Sequence, residues 1–463
     1  MPVFRQPFTI ADNQIDWPDK HAVSIPAPAI ASLQGERPIS FNDQKRTRLW
    51  LTSPHFYPTY GGAQNRYRSY IPGLINRNLD VRVMTGTPQI QERSEADTDI
   101  NWYDAMPGSW LPESALDGAP LQRIRLPDSK SRTRTQIYYD ALLEICQSQT
   151  DRPTVAQLIT NMRPEALPWL RRLRGAGIAT VYSVSQFPTW QQKPAKRFFR
   201  RRGYRRVYNA FDTLVTNSEA IEDFLRSIGV TTRIEYIPNG VNLQRFHPIQ
   251  SDQEQRGREA LRRRFGIPED HKVVVMVGAV MPRKGPDIAL RAWRELLHQF
   301  PNTHMLFVGP RSDTHDPKLK TFGSEITDLI ENSGATDQVH FTGIVDNVED
   351  YLRASDISLL ASNREGTPNS VLEAMATGLP CLVTPYLGIS EGIGQAGEHY
   401  QLVERNHEAI ALALTGLLQN QERRTTFGNK GQRYVVDNGD QQRSLDHYTD
   451  LYEELAVNAM RRR

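Results

Sequence analysis

Two glutamates, Glu365 and Glu373, stand eight residues apart in the second half of the chain, and the residues around them predict a helix. Thr367 is suited to an N-cap and Pro368 to the first helical position. Gly378 predicts that the helix ends about ten residues later. The sequence therefore predicts a short helix with a fixed start, with one glutamate before it and one about a turn and a half inside it.

The start of this helix is suited to binding an anion. Free backbone amides near Asn369 and Ser370 point out of the N-terminus, where the helix dipole adds about half a positive charge. Glu365 and Glu373 would lie on either side of those amides, and carboxylates accept hydrogen bonds from hydroxyl groups. A nucleotide sugar has a matching layout of ribose diol, diphosphate and sugar hydroxyls. The spacing alone favours a plainer alternative, in which one glutamate is a loop charge and the other a helix-surface residue.

The overall composition limits the class of protein. A chain of 463 residues is long enough for two or three domains. Hydrophobic residues make up 38% and charged residues 24%, which is typical of a soluble globular protein. The net charge of +3 gives no general reason to expect nucleic-acid binding.

Targeting and redox signals favour a cytoplasmic protein. We find no secretory leader pattern at the first residues and no apolar run of about 18 residues. Peripheral attachment at the inner face of the membrane is the alternative location. The two cysteines, Cys146 and Cys381, lie in apolar surroundings and are expected to be buried thiols rather than a disulfide or a metal pair.

The order of apolar runs predicts an α/β fold with two domains. Residues 1–44 form a polar N-terminal extension without a sustained period. Short apolar runs then alternate with amphipathic segments over 45–245, and the alternation restarts over 246–440. This pattern predicts two doubly wound Rossmann-like domains that face an interdomain cleft. The last segment, 441–463, is predicted to be a helix that packs across the domain boundary.

Two stretches lack a clear period. Residues 86–120 are rich in Asp, Pro and Gly, and they predict a long loop. Residues 249–264 are strongly polar and charged, and the alternation of apolar runs restarts after them.

Four segments in a fixed order resemble one enzyme family. The chain resembles GT-B fold retaining glycosyltransferases of family 4, also called glycosyltransferase group 1, from about residue 49 to residue 418. The resemblance is carried by the helix with its two glutamates and by three earlier segments: Pro58–Ala63, Thr216–Glu219 together with Ile237–Val241, and Val277–Gly285.

This resemblance implies a hexosyltransferase that moves a sugar from a nucleotide sugar, most simply a UDP- or GDP-sugar, to a hydroxyl group. The acceptor would be a glycan, a lipid-linked molecule or a small molecule. No metal or other cofactor is obligatory. One alternative is a catalytically silent GT-B protein that binds a nucleotide sugar or a partner as a scaffold. A nucleotide-sugar epimerase would be expected to show other carboxylate and histidine patterns.

The resemblance also implies roles for individual residues. Glu373 would bind the ribose hydroxyls, and Glu365 would contact the donor sugar. Arg283 and Lys284 would stabilise the diphosphate, so that the predicted catalytic residues are Glu365, Arg283 and Lys284. The donor-binding residues are predicted to be Gly62, Gly366, Thr367, Pro368, Asn369, Ser370 and Glu373. The candidates for the acceptor side of the cleft are Gly61, Ser185 and Asn217.

Two positions depart from the family pattern. The family usually has an arginine directly after a strand glycine, where this chain has Ala279. Many relatives place a histidine near the reacting centre, where this chain has Ser185. A retaining reaction in which the departing phosphate accepts the proton requires no base at that position. Both departures nevertheless support the scaffold alternative.

Two short motifs are interpreted as chance matches. Residues 392–397 match G-x-G-x-x-G without a preceding strand, and they predict a turn. Asp97 and Asp99 resemble a metal-binding pair of another glycosyltransferase fold, but they lie in the long polar loop, and we predict no metal there.

A basic segment, residues 193–206, holds eight basic residues and no acidic one. Basic side chains with exposed aromatic rings are suited to an anionic membrane surface. The membrane-docking candidates are Phe198, Arg201, Arg202 and Arg205. A solvated basic helix is an equally favoured alternative, and we predict no nucleic-acid partner.

Overall fold

The computed structural model describes the chain from residue 46 to residue 462 with short gaps. The described residues are 46–57, 61–88, 105–128, 131–148, 152–159, 162–187, 197–311, 317–386, 389 and 391–462. The predicted N-terminal extension, the pair Asp97 and Asp99, and residues 193–196 of the basic segment lie outside them.

The first half of the described chain is built on an eight-stranded sheet. Its spatial order is β3-β4-β2-β1-β5-β6-β7-β8, and all neighbours are parallel except β3 and β4. The strands are β1 (Arg48–Ser53), β2 (Asp80–Gly86), β3 (Ser114–Leu116), β4 (Ala119–Ile124), β5 (Val155–Leu158), β6 (Ala179–Val184), β7 (Thr213–Thr216) and β8 (Arg233–Tyr236). Its helices are α1 (Gly62–Asn76), α2 (Ser131–Ser148), α3 (Leu167–Gly175), α4 (Arg197–Tyr208) and α5 (Glu219–Ser227).

The second half contains a six-stranded sheet with the order β11-β10-β9-β12-β13-β14, all parallel. The strands are β9 (Lys272–Val277), β10 (Thr303–Val308), β11 (Val339–Phe341), β12 (Ile357–Leu360), β13 (Cys381–Val383) and β14 (Gln401–Leu402). The helices are α6 (Asp252–Arg264), α7 (Pro286–Leu296), α8 (Pro317–Glu331), α9 (Val348–Arg353), α10 (Asn369–Ala376), α11 (His407–Gln419), α12 (Gln421–Asn438) and α13 (Gln441–Arg461).

Both sheets are buried on both faces, as their continuously apolar strands require. In β9, Val273 and Val275 pack into one hydrophobic cluster, while Val274 and Met276 pack into the cluster on the opposite face. Parallel strands joined by helices bring the carboxyl ends of the strands to one edge of each sheet, where ligands bind in such folds. The predicted α/β architecture with two parallel-sheet domains is confirmed.

The last helix, α13, packs on the first sheet although it follows the second in sequence. Leu445, Tyr448, Tyr452 and Leu455 join the same buried cluster as Leu49 of β1. The predicted C-terminal helix is therefore present, and its apolar face completes the core of the other half. The exact domain limits remain a prediction.

One predicted loop contains strands, and one polar stretch without a predicted element forms a helix. Part of the predicted loop 86–120 forms the antiparallel pair β3 and β4. The stretch 249–264 contains helix α6, whose N-cap Ser251 accepts a hydrogen bond from the backbone amide of Glu254 at 3.3 Å. A capped start and a single buried face are enough to stabilise this polar helix, because Arg262 on that face is buried.

Candidate functional site

The candidate site lies where the carboxyl ends of strands from both sheets meet. From the second sheet, β9 leads into a 3-10 turn, Pro282–Lys284, and β12 leads into the loop that carries Glu365. From the first sheet, Ser185, Asn217 and Asn239 follow β6, β7 and β8. These loops come together around the start of α10.

Glu365 is the centre of a buried cluster of basic groups. Its Oε1 atom lies 2.7 Å from Nη1 of Arg283 and 2.8 Å from Nζ of Lys284, and it accepts a hydrogen bond from Ser362 Oγ at 2.6 Å. The Glu365 side chain is almost fully enclosed. Burial disfavours its ionised form, but Lys284 and Arg283 outweigh burial and hold the pKa of this carboxyl below its ordinary value. Glu365 is therefore an anion that fixes two cations.

The cluster is also fixed through the backbone. Arg283 Nη1 donates to the carbonyl of Arg364 at 2.6 Å, and the amide of Asn363 donates to the carbonyl of Arg283 at 3.1 Å. Gly278, at the end of β9, has a φ of 136°, and a Cβ there would lie 3.1 Å from Cε of Lys284. The glycine therefore leaves room for the lysine beside the strand.

Helix α10 begins at Asn369, so the predicted start is wrong by one residue. Pro368 is the N-cap, with φ −76° and ψ 107°, and Thr367 lies outside the helix. The hydroxyl of Thr367 does not cap the helix but donates to the backbone carbonyl of Asn217 in the other half of the molecule. This contact with the first sheet competes with capping, and no local sequence rule accounts for it. The helix ends at Ala376, and Gly378 follows with a φ of 82°.

Residues of the first half of the molecule contact the loop before α10 directly. Asn239 Nδ2 donates to the carbonyl of Thr367 at 3.0 Å and to Oδ1 of Asn369 at 2.6 Å. A Cβ at Gly366 would lie 2.1 Å from the carbonyl oxygen of Ser185, so only glycine fits there. The residues predicted for the acceptor side, Ser185 and Asn217, thus contact the predicted donor-binding segment itself.

Glu373 lies inside α10 and is partly buried. Burial raises the pKa of its carboxyl to about 7, and Glu349 adds to the rise while Arg245 and Lys284 oppose it. This carboxyl therefore changes charge near neutral pH. Ser370 is also partly exposed beside the helix start.

The two glycines of the first predicted loop lie at the start of α1. Gly61 is the N-cap of that helix, with an extended backbone, and Gly62 is the first helical residue. A Cβ at Gly62 would meet no atom within 4 Å in the part of the chain that the structure describes. The preceding residues, 58–60, lie outside it.

Two residues near this junction, Arg66 on helix α1 and Asn239 after β8, were given no role from the sequence. Asn239 stands in the Pro-Asn-Gly segment that contributes to the family resemblance, which was a usable signal. Arg66 is one of several basic residues in an amphipathic helix, and nothing in the local pattern distinguishes it. The roles of all the predicted site residues remain predictions.

Other predicted features are placed as follows. Arg201, Arg202 and Arg205 are exposed on α4, whereas the Phe198 side chain lies outside the described residues. Residues 392–397 form a short 3-10 segment and a turn, as predicted. Within the described ranges, no cluster of three or more His, Cys, Asp or Glu side chains could hold a metal ion. No described helix is both long and apolar enough to cross a bilayer.

Two facing α/β domains with a polar cluster at their joined carboxyl edges define the GT-B class of glycosyltransferases. Residues 257–434 match the family model for glycosyl transferases group 1, and residues 61–240 match the model for the glycosyl transferase 4-like domain. The chain belongs to the group 1 glycosyltransferases, a family of transferase enzymes.

Individual relatives agree with this assignment. The chain is 30% identical to a D-inositol 3-phosphate glycosyltransferase of Kineococcus radiotolerans over 249 residues, which are 50% of this chain and 54% of the relative. The match therefore spans about half the length of that curated relative.

Solved structures show the same fold. Sucrose-phosphate synthase of Thermosynechococcus elongatus aligns with a TM-score of 0.69 and 18% identity over 89% of this chain and all of that one. The Anabaena protein HepE, in complex with UDP and glucose, aligns with a TM-score of 0.67 and 15% identity, covering 88% of this chain and 99% of that one.

Proposed function

We propose that the protein transfers a sugar from a nucleotide-sugar donor to an acceptor hydroxyl with retention of configuration. The observation that carries this proposal is the Glu365 cluster beside the N-terminus of α10. Arg283 and Lys284 place two basic side chains against one ionised carboxylate at a helix start that attracts anions. The excess of positive charge suits a nucleoside diphosphate as the leaving group.

The chemistry follows from this arrangement. As the bond between the anomeric carbon and the diphosphate oxygen breaks, negative charge grows on the diphosphate, and fixed cations stabilise that charge most in the transition state. The acceptor oxygen bonds to the same face of the anomeric carbon, and its proton passes to the departing phosphate. Ser185 can then stand near the reacting centre without acting as a base.

The two glutamates divide the recognition of the donor. Every contact of Glu365 within the described residues falls on Oε1, which leaves Oε2 for a hydroxyl of the donor sugar. Glu373 binds the ribose diol as an acceptor. UDP- and GDP-sugars are the preferred donors, and the presence of UDP in the HepE structure supports the first of these. No metal or cofactor is required for these steps.

The acceptor is a glycan, a lipid-linked molecule or a small molecule. The name of the curated relative, which acts on D-inositol 3-phosphate, supports a small polar acceptor. The exposed arginines of α4 support a peripheral position at the inner face of the membrane. Sedimentation with vesicles that contain 20% phosphatidylserine, compared with vesicles of phosphatidylcholine alone, tests that position.

The proposed reaction is tested first by ligand binding and then by catalysis. We expect one of UDP-, GDP-, ADP- and dTDP-sugars to stabilise the full chain, by about 2.7 kcal/mol at 100 times its dissociation constant. With that donor, the protein should release the nucleoside diphosphate, and Glu365→Gln should lower kcat by about 100- to 1,000-fold, because Arg283 and Lys284 lose the anion that positions them.

The matched control is Glu325→Gln, which removes a half-exposed carboxylate on α8 that pairs with Arg291 of α7. It should leave kcat unchanged. If a nucleotide sugar binds but is neither transferred nor hydrolysed, the scaffold alternative supported by Ala279 and Ser185 replaces the enzyme. If no nucleotide sugar binds, both forms of the proposal are wrong.

A further inference from the structure

Arg66, in the first turns of α1, is a buried charge without an acidic partner among the residues that the structure describes. Its side chain is 4% exposed, and a guanidinium group stays protonated in proteins. Within the described residues its hydrogen bonds go only to the neutral side chains of Asn239 and Ser185. Its guanidinium also lies 5.1 Å from the centre of the Tyr67 ring. An isolated buried charge is costly unless an opposite charge compensates it.

Both partners of Arg66 contact the predicted donor segment. Nη2 donates to Ser185 Oγ at 3.0 Å, and the carbonyl of Ser185 packs against Gly366. Nη1 donates to Oδ1 of Asn239, whose Nδ2 donates in turn to the carbonyl of Thr367 and to Asn369. The neutral side chain of Asn239 therefore links the buried Arg66 guanidinium to the start of α10.

The polar groups at this junction are incompletely satisfied. Nε of Arg66 and Oδ1 of Asn217 are both buried and have no hydrogen-bond partner among the described residues. Asn217 uses its other atom, Nδ2, to donate to Asn239 at 3.0 Å, while its Oδ1 lies 3.2 Å from the position that a Cβ on Gly366 would occupy. Native proteins rarely leave buried polar atoms open, so the Asn217 oxygen indicates a place for a ligand donor; an open Nε is shared with Arg262 and is not specific to this junction.

We infer that Arg66 is a positioning residue for the anionic leaving group of the donor. It acts through Asn239 and Ser185, which it orients against the α10 start, and it supplies the charge that a bound diphosphate compensates. This inference rests on the proposed function. Charges interact strongly in such a water-excluded junction, and a preorganised cation requires no rearrangement during the reaction. Arg66 also explains how a serine can stand at position 185, where many relatives have a histidine. The serine keeps a hydrogen-bonding group there, and Arg66 adds the positive charge.

The competing explanation is purely structural. Arg66 also ties α1 to the segment that links the two halves, since Asn239 lies in that segment. A structural tie would affect the binding of every ligand in the cleft to a similar extent. A charge directed at phosphate would affect only ligands that carry phosphate, so the two explanations can be separated by a pair of ligands.

The test compares a nucleoside diphosphate with its nucleoside in the full chain. Calorimetry would give the Kd values of UDP and uridine, or of GDP and guanosine, for the wild type, Arg66→Gln and Arg66→Lys. We expect Arg66→Gln to raise the Kd of the diphosphate about tenfold or more and to leave the Kd of the nucleoside unchanged. Arg66→Lys should recover part of the loss, because it restores the charge without the planar geometry.

Arg68→Gln is the matched control, since Arg68 lies on the same helix, is partly exposed and pairs with Asp117 at 2.8 Å. It should change neither Kd value. If Arg66→Gln raises the Kd of both ligands equally, or changes neither Kd, the inference is overturned while the proposed function stays intact. A wild-type protein that binds neither diphosphate would overturn both. Arg66→Lys keeps the test decisive if Arg66→Gln does not fold.

Discussion

Arg66 and Arg262 are both buried guanidinium groups, and they lie at opposite edges of their sheets. Arg262, 1% exposed on α6, lies at the amino edge of the second sheet, where it donates to the carbonyls of Ala354 at 3.0 Å and Pro268 at 2.8 Å. Its Nη1 also lies 3.4 Å from Asp356 Oδ2. Arg66 lies at the carboxyl edge of the first sheet, and no such anion stands beside it in the described part of the chain.

The different surroundings of the two arginines distinguish a structural charge, Arg262, from a functional charge, Arg66. Carbonyls and the Asp356 carboxylate surround Arg262, although its Nε has no hydrogen-bond partner among the described residues. Around Arg66 the described residues supply only neutral groups, and we infer that a ligand supplies the compensating charge.

The largest expected effect tests this contrast through stability. Arg262→Met should lower the free energy of unfolding by about 3–5 kcal/mol, because it removes the donor to several buried carbonyls and one of the cations beside Asp356. The same change at Arg66 should be neutral or slightly stabilising, since Asn217 still donates to Asn239. Urea unfolding followed by circular dichroism measures both variants. Equal losses at the two positions would contradict the contrast.

A second prediction concerns acid stability at the edge that holds Arg262. His271 Nδ1 lies 2.8 Å from His304 Nε2, and His304 Nδ1 lies 3.0 Å from His340 Nε2. Burial lowers the pKa of His304 and of His340 to about 4; neighbouring imidazoles and Arg262 lower the pKa of His304 further, and Asp337 opposes the fall at His340. Because the unfolded chain binds these protons first, stability is full above about pH 6.5 and is lost toward pH 4.

Between pH 7 and pH 5.5 the loss should be about 2 kcal/mol, measured as the shift in the urea midpoint. His340→Phe removes one titrating ring and should flatten part of this dependence, and ligand affinity at pH 7 should not change. His447→Phe, at an exposed position on α13, is the control and should leave the dependence intact. A pH profile that neither histidine alters would show that the loss arises elsewhere.

The smallest expected effect concerns the edge that holds Arg66. If Glu373 binds the ribose as a carboxylate, its pKa of about 7 makes nucleotide affinity depend on pH. Between pH 6 and pH 8 the Kd of the nucleotide should fall about tenfold, since only the ionised form accepts both ribose hydroxyls. Glu373→Gln should remove this part of the pH dependence and keep any part that arises from titration of the phosphate. A nucleoside has no titrating phosphate, so its Kd measures the contribution of Glu373 alone.

Much of the architecture could be predicted from local patterns. Short apolar runs predicted the alternation of strands and helices in both halves, and the segment around Glu365 predicted α10 to within one residue. Helix α6 was missed because it is strongly polar and its buried Arg262 binds groups that include some about 90 residues away. Strand β3 was missed because three residues show too few alternations to detect.

The candidate site was predictable in part. The two glutamates and the basic turn were found because they are near one another in sequence or in a known motif. The junction of Arg66, Asn239 and Thr367 was not found, since its members are more than 100 residues apart and Arg66 has no distinctive local pattern. The pKa of Glu373 depends on burial within the folded molecule, which the sequence does not specify.

The chain passes between the two sheets twice, and the two passages run side by side. The amide of Val241 donates to the carbonyl of Gly439 at 2.8 Å, and the amide of Gln441 donates to the carbonyl of Val241 at 3.0 Å. Because α13 returns to the first sheet, residues 242–438 form one continuous insert held by this pair. Any relative movement of the two halves has to bend the chain at this paired segment, because both covalent links between them pass through it. The same pair marks where the insert could be excised and its ends joined to give a free-standing second domain.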